Sequence, residues 1–293
     1  MKVGIIAPDW GNSWIPIFKN LLEEAGHESF HFKPDDEHSY PLDACIHMWA
    51  RNNRFLNLSA KHIMVMRRYE FFDPNHWTAL PWDKIEHLIF CNNWMKEQVD
   101  GYFKDRGIEQ NTHLIYNAAD TSQWTYRKRK HGKKIGMACH VHQKKNIPLA
   151  LQILEHLPSD YELHIAGAVQ DSCLFEYIYN ISRQIKRKVV IYGQIQRDKL
   201  DSWWEDKNYC LSTSISEGNP NNVLEAMAKG IKPVVHAWPG AEDQFEGVFY
   251  TVAEAVAEIL RGNYESEKYL NQINTNHSLT NYKKIVKLIQ GGI

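Results

Sequence analysis

Residues 209–235 read YCLSTSISEGNPNNVLEAMAKGIKPVV. YCLST (209–213) is short and apolar and reads as a buried strand, as does KPVVHAW (232–238). Between them the spacing predicts a helix over 220–229. Asn219 suits the N-cap, Pro220 suits the first helical position, and Gly230 suits the left-handed position past the end. Strand, helix and strand in this order make a parallel crossover unit. The amides of Asn221, Asn222 and Val223 then lack intrahelical partners. With the positive end of the helix dipole they favour an anion such as phosphate.

Two carboxylates bracket that helix start. Glu217 stands just before it and Glu225 about a turn and a half inside. A carboxylate accepts two hydrogen bonds from a vicinal diol. The arrangement therefore suits a nucleotide diphosphate sugar, with Glu217 toward the sugar and Glu225 toward the ribose. It equally suits a capped helix with two solvated glutamates.

The same alternation runs outward in both directions. KVGIIAP, ACIHMWA, HIMVMRR, HLIFCN and THLIY read as strands, WIPIFKNLLEEAG as a helix ending at Gly26, and 92–106 as another. A second series has strands KIGMAC, ELHIAG, VVIYG, YCLST and KPVVHAW, with helical patterns over 147–157, 174–186, 198–204 and 220–229. Alternating β and α units imply parallel sheets covered by helices. The basic run Arg127-Lys128-Arg129-Lys130 reads as a solvated linker between two α/β domains. Ligands on such sheets bind beyond the carboxyl ends of the strands, so a cleft between the domains is the expected site. The expected boundaries are 1–126, 127–265, and a helical tail over 266–293 that packs outside or crosses back to the first domain.

Composition narrows the class. The 293 residues carry a net charge of −1, so neither half offers the basic field that nucleic acid requires. Ten tryptophans serve as core filler or as sugar-stacking surfaces. The five cysteines are scattered without a CxxC pair, which suits reduced thiols in a cytoplasmic protein. The N-terminus lacks the pattern of a signal peptide, and no run reaches membrane-span length, so membrane association is expected only at the periphery.

STSISEGNPNNVLEAMAKGIKPVV (212–235) resembles the glutamate-seven-residues-glutamate signature of retaining GT-B glycosyltransferases of the GT4 (glycosyl transferases group 1) family. YNAADTSQW (116–124) resembles that family's interdomain hinge motif. ELHIAG and VVIYGQIQRDKLDSWW resemble its strand-turn segments, and HQKKNIPLALQIL resembles its Lys-Asn or Lys-Gly segment. The resemblance implies two Rossmann-like domains, transfer of a sugar with retention, and donor binding without metal or other cofactor. It implies that Lys145, or Lys144 beside it, contacts the donor diphosphate, and that Glu217 and Lys145 carry the chemistry. Glu225, Gly218, Asn219, Asn221, Asn222 and Val223 would hold the donor. The family usually has an Arg at the position of Cys139–His140, so a phosphate cation is missing and His140 is its candidate replacement. The acceptor (glycan, lipid-linked sugar, protein or small molecule) and the nucleotide base stay open. A nucleotide-sugar 2-epimerase and a non-catalytic nucleotide-sugar binding protein share these features.

Other candidates are local. His140 and His142 form an HxH pair without a nearby third ligand, so no metal is expected there. Gly11, Asn12 and Ser13 follow the first strand and could begin a helix facing the cleft. Arg67, Arg68, Tyr69 and Glu70 end another strand and are candidates for acceptor contact, part of the cluster serving as a structural ion pair. The absence of Asp-x-Asp argues against a metal-dependent transferase of the GT-A type.

Overall fold

The computed structural model describes residues 1–8, 14–37 and 41–291. Gly11, Asn12 and Ser13 lie outside them. The chain divides into two compact units, Met1–Asn117 with Leu279–Ile293, and Ala118–Ser278.

The first unit contains β1 (Lys2–Ile6), α1 (Ile15–Glu24), β2 (Glu28–Phe32), β3 (Ala44–His47), β4 (Lys61–Met66), α2 (Arg68–Phe71), β5 (His87–Phe90), α3 (Asn93–Arg106) and β6 (Thr112–Leu114). The strands form one parallel sheet in the order β2-β1-β3-β4-β5-β6. All five expected strands of this unit are present. β2 is additional: its sequence ESFHF alternates polar with aromatic residues, and it occupies a sheet edge where no continuous apolar run is needed. Local chemistry sets the helix ends. Asn92 accepts the Met95 amide at 3.0 Å to start α3, and Gly107, at φ +65°, ends it.

Inside this sheet a polar chain is buried. Asn53 Oδ1 accepts the Phe55 amide and Nδ2 donates to the Arg51 carbonyl, which fixes the amide's orientation. Nδ2 also donates to His47 Nδ1 at 3.1 Å. His47 Nε2 therefore carries the proton and donates to His62 Nδ1 at 3.0 Å, and His62 Nε2 donates to the Leu58 carbonyl at 3.2 Å. The chain has one direction and needs both rings neutral. Burial first, and then the neighbouring His62, push His47 down to about 3.

The second unit contains β7 (Lys134–Ala138), α4 (Ile147–His156), β8 (Glu162–Ala166), α5 (Ser172–Gln184), β9 (Lys188–Ile191), α6 (Arg197–Trp204), β10 (Tyr209–Ser212), α7 (Asn221–Ala228), β11 (Lys232–Val235), α8 (Val252–Leu260) and α9 (Ser266–Asn276). The order β11-β10-β7-β8-β9 is again fully parallel. Chain progress runs one way from β7 to β9 and the other way from β10 to β11. The reversal opens a crevice at the carboxyl ends of β7 and β10. α7 is buried from Val223 to Ala228, and its end is closed by Ile231 N–H to Ala226 O and Gly230 N–H to Met227 O, with Gly230 at φ +75°.

Three expectations need correction. The basic run is solvated at Arg127, Lys128 and Lys130 but not at Arg129. The Arg129 side chain is 8% exposed and donates to the carbonyls of Lys229 and Glu205 at the ends of α7 and α6, where a cation meets the negative end of the dipoles. Arg127 pairs with Glu205 at 2.7 Å. The division falls instead at Asn117–Ala118, inside the hinge-like YNAADTSQW. The tail is also split: α9 belongs to the second unit, while α10 (Thr280–Ile289) returns to the first and packs on α1 and β4.

The buried histidine pair makes a testable statement. An unfolded histidine titrates near 6.5 and folded His47 near 3, so between those values the unfolded chain holds the extra proton. The imidazole's contribution is complete above about pH 6.5 and is lost as the pH falls toward 3. Between about pH 7.5 and about pH 5 the native sequence should lose on the order of 2 kcal/mol more stability than His47→Gln. Urea unfolding of both proteins at the two pH values measures this, and parallel losses would refute it.

Candidate functional site

A cavity of about 400 Å³ lies at the carboxyl ends of β7 and β8 in the second unit. It is lined on one side by Cys139, His140, Lys144 and Lys145, on another by Gly167, Gln170, Gln194, Ile195 and Leu200, and by Asn222 and Glu225 from α7. Five residues singled out from the sequence thus share one cavity: His140, Lys144, Lys145, Asn222 and Glu225.

Lys145 sits in a short turn over Gln143–Lys145, begun by His142, whose Nδ1 accepts the Lys144 amide at 3.2 Å. The next residue, Asn146, has φ +45°. Asn or Gly tolerates that conformation best, which gives the Lys-Asn or Lys-Gly pattern a backbone reason. This turn is stitched to the loop after β10. The Ile215 amide donates to the Lys144 carbonyl at 3.0 Å, and Thr213 Oγ1 to the Lys145 carbonyl at 2.7 Å.

That stitching brings Lys145 Nζ onto Glu217 Oε1, which also accepts from Ser214 Oγ at 2.8 Å. The two side chains are 14% and 11% exposed. Burial alone would raise the Glu217 carboxyl. The Lys145 ammonium and the hydrogen bonds from Lys145 and Ser214 outweigh it and hold Glu217 below the ordinary carboxylate range. Glu217 is therefore seated against Lys145 rather than standing open at a mouth.

Glu225 is 5% exposed. Burial pushes its carboxyl up, and its partner Arg197 on α6 pulls part of the way back. His140 accepts the Ala168 amide on Nδ1 at 3.1 Å, which leaves its proton on Nε2. Burial and the nearby Lys145, Lys144 and His142 lower its basicity, so it is a neutral donor. Cys139 is pushed up to about 11 by burial and stays a thiol.

The helix start departs from expectation. α7 begins at Asn221 with Pro220 as N-cap, so Asn219 lies outside it. Asn219 Nδ2 instead donates to Gln244 Oε1, and Gln244 Nε2 donates to the Gly218 carbonyl at 2.8 Å, which pins the loop. The Val223 amide bonds the Pro220 carbonyl at 3.1 Å and its side chain is buried, so Val223 is not an open donor. Gly218 and Asn219 support the loop and do not line the cavity.

In the first unit, Glu70 is fully buried and accepts the Arg67 amide at 3.2 Å, capping α2. Burial pushes its carboxyl up to about 7 against Arg51 and Arg67. Arg67 donates to Asn117 Oδ1 at 2.7 Å and lies over the Trp14 ring at 4.3 Å. Arg67 and Glu70 are thus packed into the fold, whereas Tyr69 is exposed and Arg68 lies over the Phe72 ring.

A potential metal trio was missed from sequence. Cys45, His47 and His62 are buried with ligand atoms within 4.8 Å of one another. Their spacing, two residues and fifteen, matches no common motif, and the facing ring nitrogens are joined by the hydrogen bond described above. The cavity residues Gln170, Gln194, Ile195, Leu200 and Arg197's pairing were also not foreseen. Only Gly167, closing ELHIAG, left a sequence signal.

Gly167 shows how tightly the cavity wall is built. A Cβ there would stand 2.1 Å from the Cys139 carbonyl oxygen and 2.7 Å from the His140 amide. Neither backbone atom can yield without moving the end of β7. Gly167→Ala should cost the second unit about 1–3 kcal/mol, read as a lower thermal midpoint. An unchanged midpoint would mean that the wall is looser than it looks.

Solved structures share this fold over nearly the whole chain. HepE from Anabaena, solved with UDP and glucose, superposes with a TM-score of 0.74 at 12% identity, covering 99% of this chain and 100% of that one. A glycosyltransferase from Rickettsia africae gives 0.76 at 12% identity over 99% and 98%. Sucrose-phosphate synthase from Thermosynechococcus elongatus gives 0.75 at 10% identity over 99% and 98%. These likenesses establish an α/β fold of two parallel-sheet domains, of the GT-B type. No curated protein sequence matches the chain. The glycosyl transferases group 1 profile matches residues 119–278, which is nearly the whole second unit and more than half of the chain, and the protein belongs to that family.

Proposed function

We propose that the protein transfers a sugar, with retention and without a metal, from a nucleotide diphosphate sugar to an acceptor, as a GT4 enzyme. The observation that carries this is the convergence of Lys144, Lys145, His140, Asn222 and Glu225 on one cavity at the strand-order reversal of the second unit. The two lysines and the His140 Nε2–H supply donors for a diphosphate. Glu225 takes the ribose hydroxyls. Gln194, Ile195 and Leu200 form a mixed polar and apolar wall suited to a base. Structural neighbours solved with UDP support this reading of the cavity.

The chemistry needs a group that stabilises the leaving diphosphate as its charge grows. Lys145 fills this role. Glu217, held ionised against Lys145, fixes the ammonium's position and orients the donor sugar. The acceptor hydroxyl then attacks from the side on which the diphosphate leaves. Its proton passes to a departing phosphate oxygen, so no separate enzyme base is required.

Calorimetry with UDP, GDP and ADP tests the donor assignment. One of them should bind the native protein. Glu225→Ala should weaken that binding by at least about tenfold, since a buried charged group's hydrogen bonds are worth about 1.5–3 kcal/mol. The melting temperature is followed alongside, so that lost binding is separated from lost folding. Equal affinity in the variant would remove Glu225 from the site. Loss of sugar from the donor without any acceptor, or its isomerisation at C2, would replace transfer by hydrolysis or epimerisation.

A further inference from the structure

Arg197 opens α6 on a different element from every residue that the sequence had assigned to the cavity. Its Nη1 donates to Glu225 Oε1. The two side chains are unequal in exposure, 52% for Arg197 and 7% for Glu225. The guanidinium lies over the ring of buried Trp124, 5.2 Å from its centroid. A half-exposed arginine would otherwise be free to swing into water. The stack and the ion pair together hold the plane of this one.

Glu225 depends on that contact. Among the described residues Arg197 is its hydrogen-bond partner. The other groups nearby cannot substitute. Cys210 on β10 is a buried thiol and Cys139, just past β7, a partly buried one, and burial holds both protonated. Lys145 is engaged by Glu217, and His140 is neutral. Asp201, one turn further along α6, is engaged by Lys229 and by Thr125. Lys144 lines the same cavity, but no bond joins it to Glu225.

We infer that Arg197 is a positioning residue, which keeps the Glu225 carboxylate ionised and aimed into the cavity so that it accepts the vicinal hydroxyls of the donor's ribose. This rests on the reading of the cavity as a nucleotide seat. Nη1 occupies Oε1 and leaves Oε2 to the ligand. A protonated Glu225 would offer one acceptor fewer and present a donor where the diol also donates. The guanidinium thus controls affinity without touching the ligand.

The pairing predicts a pH signature that a merely structural role would not produce. The full-length native protein, Arg197→Met, Arg197→Lys and Glu225→Gln are compared for binding of UDP, GDP and ADP by calorimetry, with folding checked by circular dichroism. The Glu225 carboxyl is followed by carbon NMR titration, its signal identified by its loss in Glu225→Gln. In Arg197→Met the Glu225 titration should move up by at least about one pH unit, and nucleotide affinity should fall about tenfold between about pH 8 and about pH 6. The native protein should show little change over that range, and Arg197→Lys should restore most of the native profile. If the native protein binds a nucleotide but Arg197→Met keeps the native titration and pH profile, the inference fails alone. Tighter binding by Arg197→Met at both pH values also overturns it, because Arg197 would then be a competitor for the seat. If none of the three nucleotides binds the native protein, the nucleotide reading of the cavity fails, and the inference falls with it.

Discussion

Two opposite charges share a nearly dry position beneath the cavity, and the site is organised around them. Lys145 and Glu217 come from loops on neighbouring strands, β7 and β10. Either charge buried alone would cost several kcal/mol, and together they roughly break even only with good geometry and further hydrogen bonds. The fold supplies both. The backbone bonds from Ile215 and Thr213 clamp the lysine turn to the glutamate loop, and Ser214 satisfies the carboxylate further. Gln244 then fixes the same loop at Gly218 and Asn219, just before α7 starts. The pair therefore specifies a geometry more than it contributes stability. It joins the end of one strand to the start of the helix across the point where the strand order reverses.

That dependence explains what could be read from sequence and what could not. The strands of the second unit are short apolar runs between helical patterns, and their periodicity survives in any context. The Pro220 and Gly230 signals bracket α7 because backbone conformation is dictated by the residue itself. Asn219 misled because its amide has a choice of partners. A capping asparagine and one that reaches Gln244, twenty-five positions on, look alike in sequence. The basic run misled for a related reason. The Arg129 side chain is covered because two helices happen to end beside it, and helix ends are a tertiary fact. The sheet edge β2 escaped because an edge strand need not be apolar. α10 was seen as helical, but its return to the first unit was only one of two readings, since an amphipathic pattern does not say which sheet it will cover.

The two units bury polar groups in different ways. In the first, His47 and His62 are kept neutral in a directed chain of hydrogen bonds, and Glu70 is pushed up to about 7 while capping a short helix. These groups pull acid stability in opposite directions. The histidine weakens the fold as the pH drops below 6.5, and Glu70 favours the folded state on the acid side of 7. In the second unit several buried or partly buried polar groups are charged and paired. Lys229 meets Asp201, Lys232 meets Glu258 at 2.7 Å, and Lys145 meets Glu217. Neutral networks tolerate burial without a partner of opposite sign, whereas ions do not. The cavity is lined by charges of the second kind, paired across elements.

The charge balance of the cavity answers the question raised by Cys139 and His140, where the family usually has an arginine. His140 is neutral and Cys139 is a thiol, so neither restores the cation. Lys144, Lys145 and Arg197 stand against Glu217 and Glu225, and the five groups together carry one net positive charge. Both carboxylates are internally compensated by partners that arrive from other elements. Lys144 lines the same cavity, and the start of α7, the positive end of its dipole, contributes Asn222 to it. On the proposed reading, a bound diphosphate would meet two lysines, one of them paired with Glu217, a neutral imidazole donor and a helix terminus. Such a site binds its anion through directed hydrogen bonds as much as through net charge. Its donor affinity should therefore depend on cavity geometry, and only weakly on ionic strength, because screening acts on charge rather than on short directed contacts.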